Sequence, residues 1–155
     1  MSRTTANRGF APEVRANKGI SDKQQLDELL QGILSKQDKV RYPSFKALMA
    51  MAEDQPEILY PHWDYIAALL KRENTHSKYI GIHLLARLTV VDKDDKFKAV
   101  FAGYYDLLDD KSVISAAHVA GNSGRIAKAK PELEARITER LLGIDKPVTS
   151  QVTEN

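Results

Sequence analysis

The sequence predicts an all-α chain of about seven helices: three antiparallel helix pairs behind one leading helix. Three observations carry that prediction. A two-helix pattern of about 36 residues, first met at residues 38–73, returns at 74–109 and again at 110–145. Within each copy the apolar residues recur at helical rather than strand spacing. The breaks, at Gln37-Asp38, Asn74-Thr75, Asp92 to Asp94, Asp109-Asp110 and Lys130-Pro131, leave no room for crossover strands, and the one β-flavoured run, Thr89-Val90-Val91, closes a helical pattern.

Taken in order, residues 1–20 alternate small, polar and basic types with Phe10, Val14 and Ile20 isolated, and so offer too little apolar surface to offset the entropy of ordering. They read as a disordered basic tail. The functional alternative is a short motif, Arg8-Gly9-Phe10-Ala11-Pro12, that a partner would order. The helical domain spans 21–145. Ser21 and Gln24 have the spacing of a capping box, so a helix is expected from Asp22 to Ser35, with Leu26, Leu29, Leu30, Ile33 and Leu34 on one face. This leading helix has no partner of its own and is expected to cap the first pair.

The first pair is expected at Asp38 to Glu53 and Pro56 to Arg72. Its first helix carries the stripe Val40, Phe45, Leu48, Met51 and Ala52, its second Leu59, Trp63, Ile66 and Leu70. Pro56 suits a first helical position, and Pro61 then implies either a kink inside the helix, the preferred reading, or a true helix start near Pro61. The second pair is expected at Thr75 to Val91 and Asp94 to Leu108, with Phe97, Phe101, Tyr104 and Leu108 in one stripe, and the third at Lys111 to Lys128 and Pro131 to Gly143. Gly121 and Gly124 replace leucine and methionine of the earlier copies, so the third first-helix packs either more closely or more loosely. Residues 146–155 lack periodicity and read as a flexible tail.

Each copy opens on Asp or Asn (Asp38, Asn74, Asp110), carries a small residue in its first helix (Ser44, Gly81, Ala117) and closes on a leucine pair (Leu69-Leu70, Leu107-Leu108, Leu141-Leu142). With Asp38, Val40, Arg41, Ala47, Leu48 and Pro56, these residues resemble the HEAT family of helical repeats, close in architecture to armadillo repeats. The likeness covers about residues 38–145, and its motif is degenerate: the Val40-Arg41 pair becomes Lys78-Tyr79 and Val113-Ile114 in the later copies. The resemblance implies a short right-handed α-α superhelix, a solenoid whose second helices line an inner, concave face.

Length and composition narrow the chemistry. A chain of 155 residues fits one domain with its own core. The absence of cysteine removes disulfides, thiolate metal sites and cysteine nucleophiles. No stretch has signal-peptide or membrane-spanning character and Met1-Ser2 lacks the glycine of myristoylation, so a cytoplasmic location is expected. The net charge of +2 divides into +3 on residues 1–21 (Arg3, Arg8, Arg15 and Lys18 against Glu13) and −1 on the rest. That is far from a nucleic-acid binder's usual footprint.

No metal site or cofactor is expected. Of His62, His76, His83 and His118, only His76 and His83 could share a helix face, and they lack the i, i+4 spacing of a helical zinc site. The Asp92-Lys93-Asp94-Asp95 cluster has Phe97 where a calcium-binding loop needs glycine, and reads as helix capping. Gly121-Asn122-Ser123-Gly124-Arg125 has neither the preceding strand nor the closing Gly-Lys of a phosphate loop.

The leading functional expectation is therefore a non-enzymatic module or scaffold that binds another protein along a helical groove. Off the apolar stripes of the second helices lie Tyr65, Lys71, Tyr105 and Arg136, the candidate contact residues. The alternative is nucleic-acid or anionic-surface binding through the basic tail and a third-copy patch of Arg125, Lys128, Lys130, Arg136 and Arg140. A more distant reading comes from resemblance alone: one DNA glycosylase family is built on HEAT-like repeats, and Trp63, Asp64 and Arg125 would be its cast here.

Overall fold

A computed structural model describes residues 21–143, all of whose regular elements are helical. The tail at 1–20, its Phe10 motif, the domain end at 144–145 and the tail at 146–155 lie outside the described residues.

Helix α1 (Asp22–Gly32) starts on the expected capping box: Ser21 Oγ accepts the Gln24 amide at 3.1 Å and Gln24 Oε1 accepts the Ser21 amide at 2.9 Å. It buries Leu26, Leu29 and Leu30 against α2 (Asp38–Asp54). Pro56 opens α3 (Pro56–Leu59), which runs through a 3-10 turn (Tyr60–His62) into α4 (Trp63–Ala67) and a second 3-10 turn (Ala68–Lys71). The kink sits where Pro61 has no amide to give the carbonyl one turn back.

Helix α5 (Thr75–Leu88) is capped by the Asn74 side chain, which accepts the Ser77 amide at 2.7 Å. It is apolar on nearly every side, with Ile80, Ile82, Leu84, Leu85, Ala86 and Leu88 all buried, because it is the central rod. It packs on α2, on the 3-10 turn carrying Leu69-Leu70, and on α7 (Val113–Ala129). Gly81 permits the second contact: a Cβ there would sit 3.1 Å from Leu70 and 3.2 Å from Leu69.

Helix α6 (Lys96–Asp106) begins two residues later than its sequence suggests, after Asp95 in the left-handed region at φ 55°. Its cap is Asp92 alone, whose carboxylate accepts the Lys96 amide on Oδ1 and the Phe97 amide on Oδ2, each at 2.8 Å. After the turn Leu107–Asp109, α7 is followed by the turn Pro131–Leu133 and α8 (Glu134–Leu142). With α3 and α4 taken as one kinked rod, the described residues hold the seven expected helices.

Helix α5 packs against both α2 and α7, and the second-helix segments pack against these first helices. Trp63 meets Phe97 edge to face at 6.4 Å across two of those segments, inside one continuous core. Two members of the expected apolar faces need correction: Leu34 is 38% exposed, because its helix ends at Gly32 rather than Ser35, and Val40 is 40% exposed. Val40 stands in the first turn of α2 at the margin of the core, with its side chain beside Gly32 of α1. Of the two packings left open at Gly121 and Gly124, α7 shows the looser one: nothing stands within 4 Å of where a Cβ would be, while Asn122 and Ser123 between them turn inward.

Candidate interaction surface

The second-helix face does not assemble the four residues the sequence proposes for it. Tyr105 is 0% exposed. Helix α6 is held between α5 and α7, so both neighbours in its Tyr-Tyr pair turn inward: Tyr104 Oη donates to the Ile82 carbonyl at 3.0 Å, and Tyr105 Oη lies 2.9 Å from Ser123 Oγ. Burial pushes both phenols above their usual range. Tyr65 is part-exposed, but its hydroxyl donates to the Leu30 carbonyl at 2.6 Å and so ties the rod to the end of α1. Arg136 lays its guanidinium 4.1 Å from the Phe101 ring centre and shields that edge of the core. Lys71 is exposed on the first pair, whereas Arg136 stands on the third.

The basic patch is dispersed as well. Lys130 is only 8% exposed. Its Nζ donates to the Asp92 carbonyl at 2.8 Å and to Asp95 Oδ1 at 2.9 Å, and lies 3.3 Å from Asp92 Oδ2. The lysine belongs to an interior polar node, because it is drawn inward by carboxylates a repeat away in sequence. The same Asp92 carboxylate accepts Tyr60 Oη–H at 2.6 Å. Burial alone would push Asp92 up, but the bonds from Tyr60, the Phe97 and Lys96 amides and Lys130 outweigh it and hold the carboxyl below its ordinary value. Burial and the Asp92 bond push Tyr60 up to about 12.

Arg125 pairs with Glu53 at 3.1 Å, and Arg140 donates to the Tyr105 carbonyl at 2.7 Å and to Asp106 at 3.3 Å. Lys128 is exposed. Trp63 is turned into the core while Arg125 is held at Glu53, so Trp63, Asp64 and Arg125 do not face one cleft.

The first helices carry a more developed surface. A groove of about 590 Å³ runs between the N-terminal halves of α2 and α5, lined by Tyr42, Pro43, Phe45, Tyr79 and Ile80, with Asp38, Lys39, Arg41 and His76 on its rim. Tyr42 is 59% exposed, with Lys46 Nζ 5.6 Å from its ring centre. From the groove an aromatic strip continues across all three first helices. Phe45 packs on Tyr79 at 5.2 Å, and Tyr79 meets the rings of His83 at 4.7 Å and His118 at 4.6 Å. Ile114, exposed, lies one turn ahead of His118 on the same face of α7.

His83 Nε2 and His118 Nδ1 stand 3.1 Å apart, and Asn122 Nδ2 lies 3.4 Å from His83 Nδ1 while donating to the His118 carbonyl at 2.7 Å. The amide hydrogen facing Nδ1 places the proton of neutral His83 on Nε2, from which it is given to His118. Burial, then the neighbouring His118, Arg87 and Arg125, push His83 down to about 4. Beyond the histidines, Glu53 joins Arg87 at 3.0 Å and Arg125 at 3.1 Å, so an ionic row closes this end of the strip.

Single-helix spacing pairs His83 with His76 and so misses the contact with His118. The signal was the repeat itself: positions 83 and 118 are 35 residues apart, close to one period, and equivalent positions on adjacent stacked helices become neighbours. Tyr42 lies off its helix's apolar stripe, and nothing in the periodicity marks it as one wall of a groove. No family model, no curated protein and no solved structure matches this chain.

Proposed function

We propose that the chain is a non-enzymatic protein-binding module, built as a short right-handed stack of HEAT-like helix pairs, and that its contact surface is the face of the first helices. The stack is supported by where the long-range polar contacts fall. Tyr65 to Leu30, Arg87 to Glu53, His83 to His118, Lys130 to Asp95 and Arg140 to Tyr105 are separated by 34 or 35 residues, close to the sequence period. Such contacts are what nearest-neighbour repeats make.

The observation that carries the choice of face is the apolar groove beside exposed Tyr42. A tyrosine with a wet tip and an apolar body, standing at the mouth of a cleft, is the kind of anchor that supplies energy at protein interfaces. On the other face the aromatics have been spent inside: Tyr105 is enclosed, and Tyr65 is committed to α1. The test is affinity capture from nuclease-treated lysate with the full chain and with Tyr42→Ala. The reading expects at least one protein retained by the wild type, lost with Tyr42→Ala and kept with Lys71→Ala and Arg136→Ala. Capture abolished by nuclease and falling steeply with salt would favour nucleic acid instead.

A further inference from the structure

We propose that the groove between α2 and α5 takes a short peptide segment of another protein whose one or two large apolar side chains are flanked by carboxylates. This rests on the groove being the contact surface and adds the chemistry of what fills it.

The floor and walls set the centre of the segment. Pro43, Phe45, Tyr79 and Ile80 offer almost no polar atoms, and about 590 Å³ is the size of a site for a few side chains rather than for a whole helix face. Pro43 also has no amide to give the Lys39 carbonyl one turn back.

The rim sets the flanks. Asp38 is committed to Arg41. Lys39 and Lys46 are exposed, and neither has a carboxylate within ion-pair distance among the described residues. His76, on the same rim, adds a third donor. An acidic flank meets complementary charge from Lys39 and Lys46 along the α2 edge of the cleft. The same argument weighs against the chain's own first 20 residues as the occupant, because Arg3, Arg8, Arg15 and Lys18 against Glu13 would bring a net +3 to a positive rim.

The test is selection of phage-displayed random twelve-residue peptides on the full chain, counter-selected on Tyr42→Ala, followed by fluorescence anisotropy with the winning synthetic peptides. The expected winners have a large apolar centre and Asp or Glu on both sides. Two exposed ion pairs amount to about tenfold in affinity, so Lys39→Glu/Lys46→Glu should weaken these peptides about tenfold and, used as bait, should select basic flanks instead. Both lysines are solvent-exposed, and an unchanged thermal transition would establish that the variant is folded. Winners that need Tyr42 but carry no carboxylates, or bind the double variant equally well, would overturn the acidic flank and leave the groove reading standing. No enrichment over Tyr42→Ala would overturn both. A synthetic peptide of residues 1–20 that displaced the winners would assign the groove to the chain's own tail and overturn the proposal.

Discussion

Replacing Asp92 by Asn probes the polar node that joins three helical rods. The substitution keeps the volume and removes the charge. One Asn oxygen can still accept one of the two α6 amides that the carboxylate now accepts, at 2.8 Å each, but the new NH2 must then point at another donor, the remaining amide or Lys130. Breaking a buried ion pair from one side costs about 3 to 5 kcal/mol, and losing a helix cap about 1. Lys130 retains the Asp92 carbonyl and half-exposed Asp95, which relieves part of that. The expected loss in urea unfolding is therefore about 3 kcal/mol. Lys130→Met should cost less, because Asp92 keeps Tyr60 and both amides, and the double variant should fall short of additivity by about 1 kcal/mol or more. A loss under about 0.5 kcal/mol for Asp92→Asn would refute the view that this node fastens the rods.

The His83 ring predicts a pH dependence: its folded pKa, about 4, lies below the ordinary 6.5, so the unfolded chain binds the proton first. Stability should be complete above pH 6.5 and fall by about 1 to 3 kcal/mol as the pH drops towards 4, and His83→Gln should flatten that segment of a stability-against-pH curve. Gly81→Ala, with Leu69 and Leu70 at 3.2 and 3.1 Å, should destabilise by about 1 to 3 kcal/mol. Gly121→Ala, open to solvent on a helix, should stabilise by up to about 1 kcal/mol; a common sign in thermal melts would contradict the assigned faces. Leu85→Ala, at 0% exposure, should cost about 2 to 5 kcal/mol in chemical denaturation.

Most helix positions were legible because their causes are local. Ser21 with Gln24, Asn74 and Pro56 mark helix starts by chemistry within four residues, and the stripes through Trp63 and Phe97 bury as their spacing says. The candidate site was less legible because its causes lie a repeat away. One apolar stripe per helix suits a rod with one neighbour, whereas α6 touches both α5 and α7 and so buries Tyr104 and Tyr105 together. Lys130 looks like a surface lysine until Asp92 and Asp95 are placed beside it. Tyr65 lies off its stripe, as read, yet its hydroxyl meets α1 rather than a groove.

Site-specific photo-crosslinking tests the central claim most directly. With benzoylphenylalanine in place of Tyr42, in place of Lys71, or in place of Arg136, and the full chain in nuclease-treated lysate, a discrete protein adduct is predicted from position 42 and not from 71 or 136. Adducts from 71 and 136 with none from 42 would contradict the account and return the contact surface to the second helices.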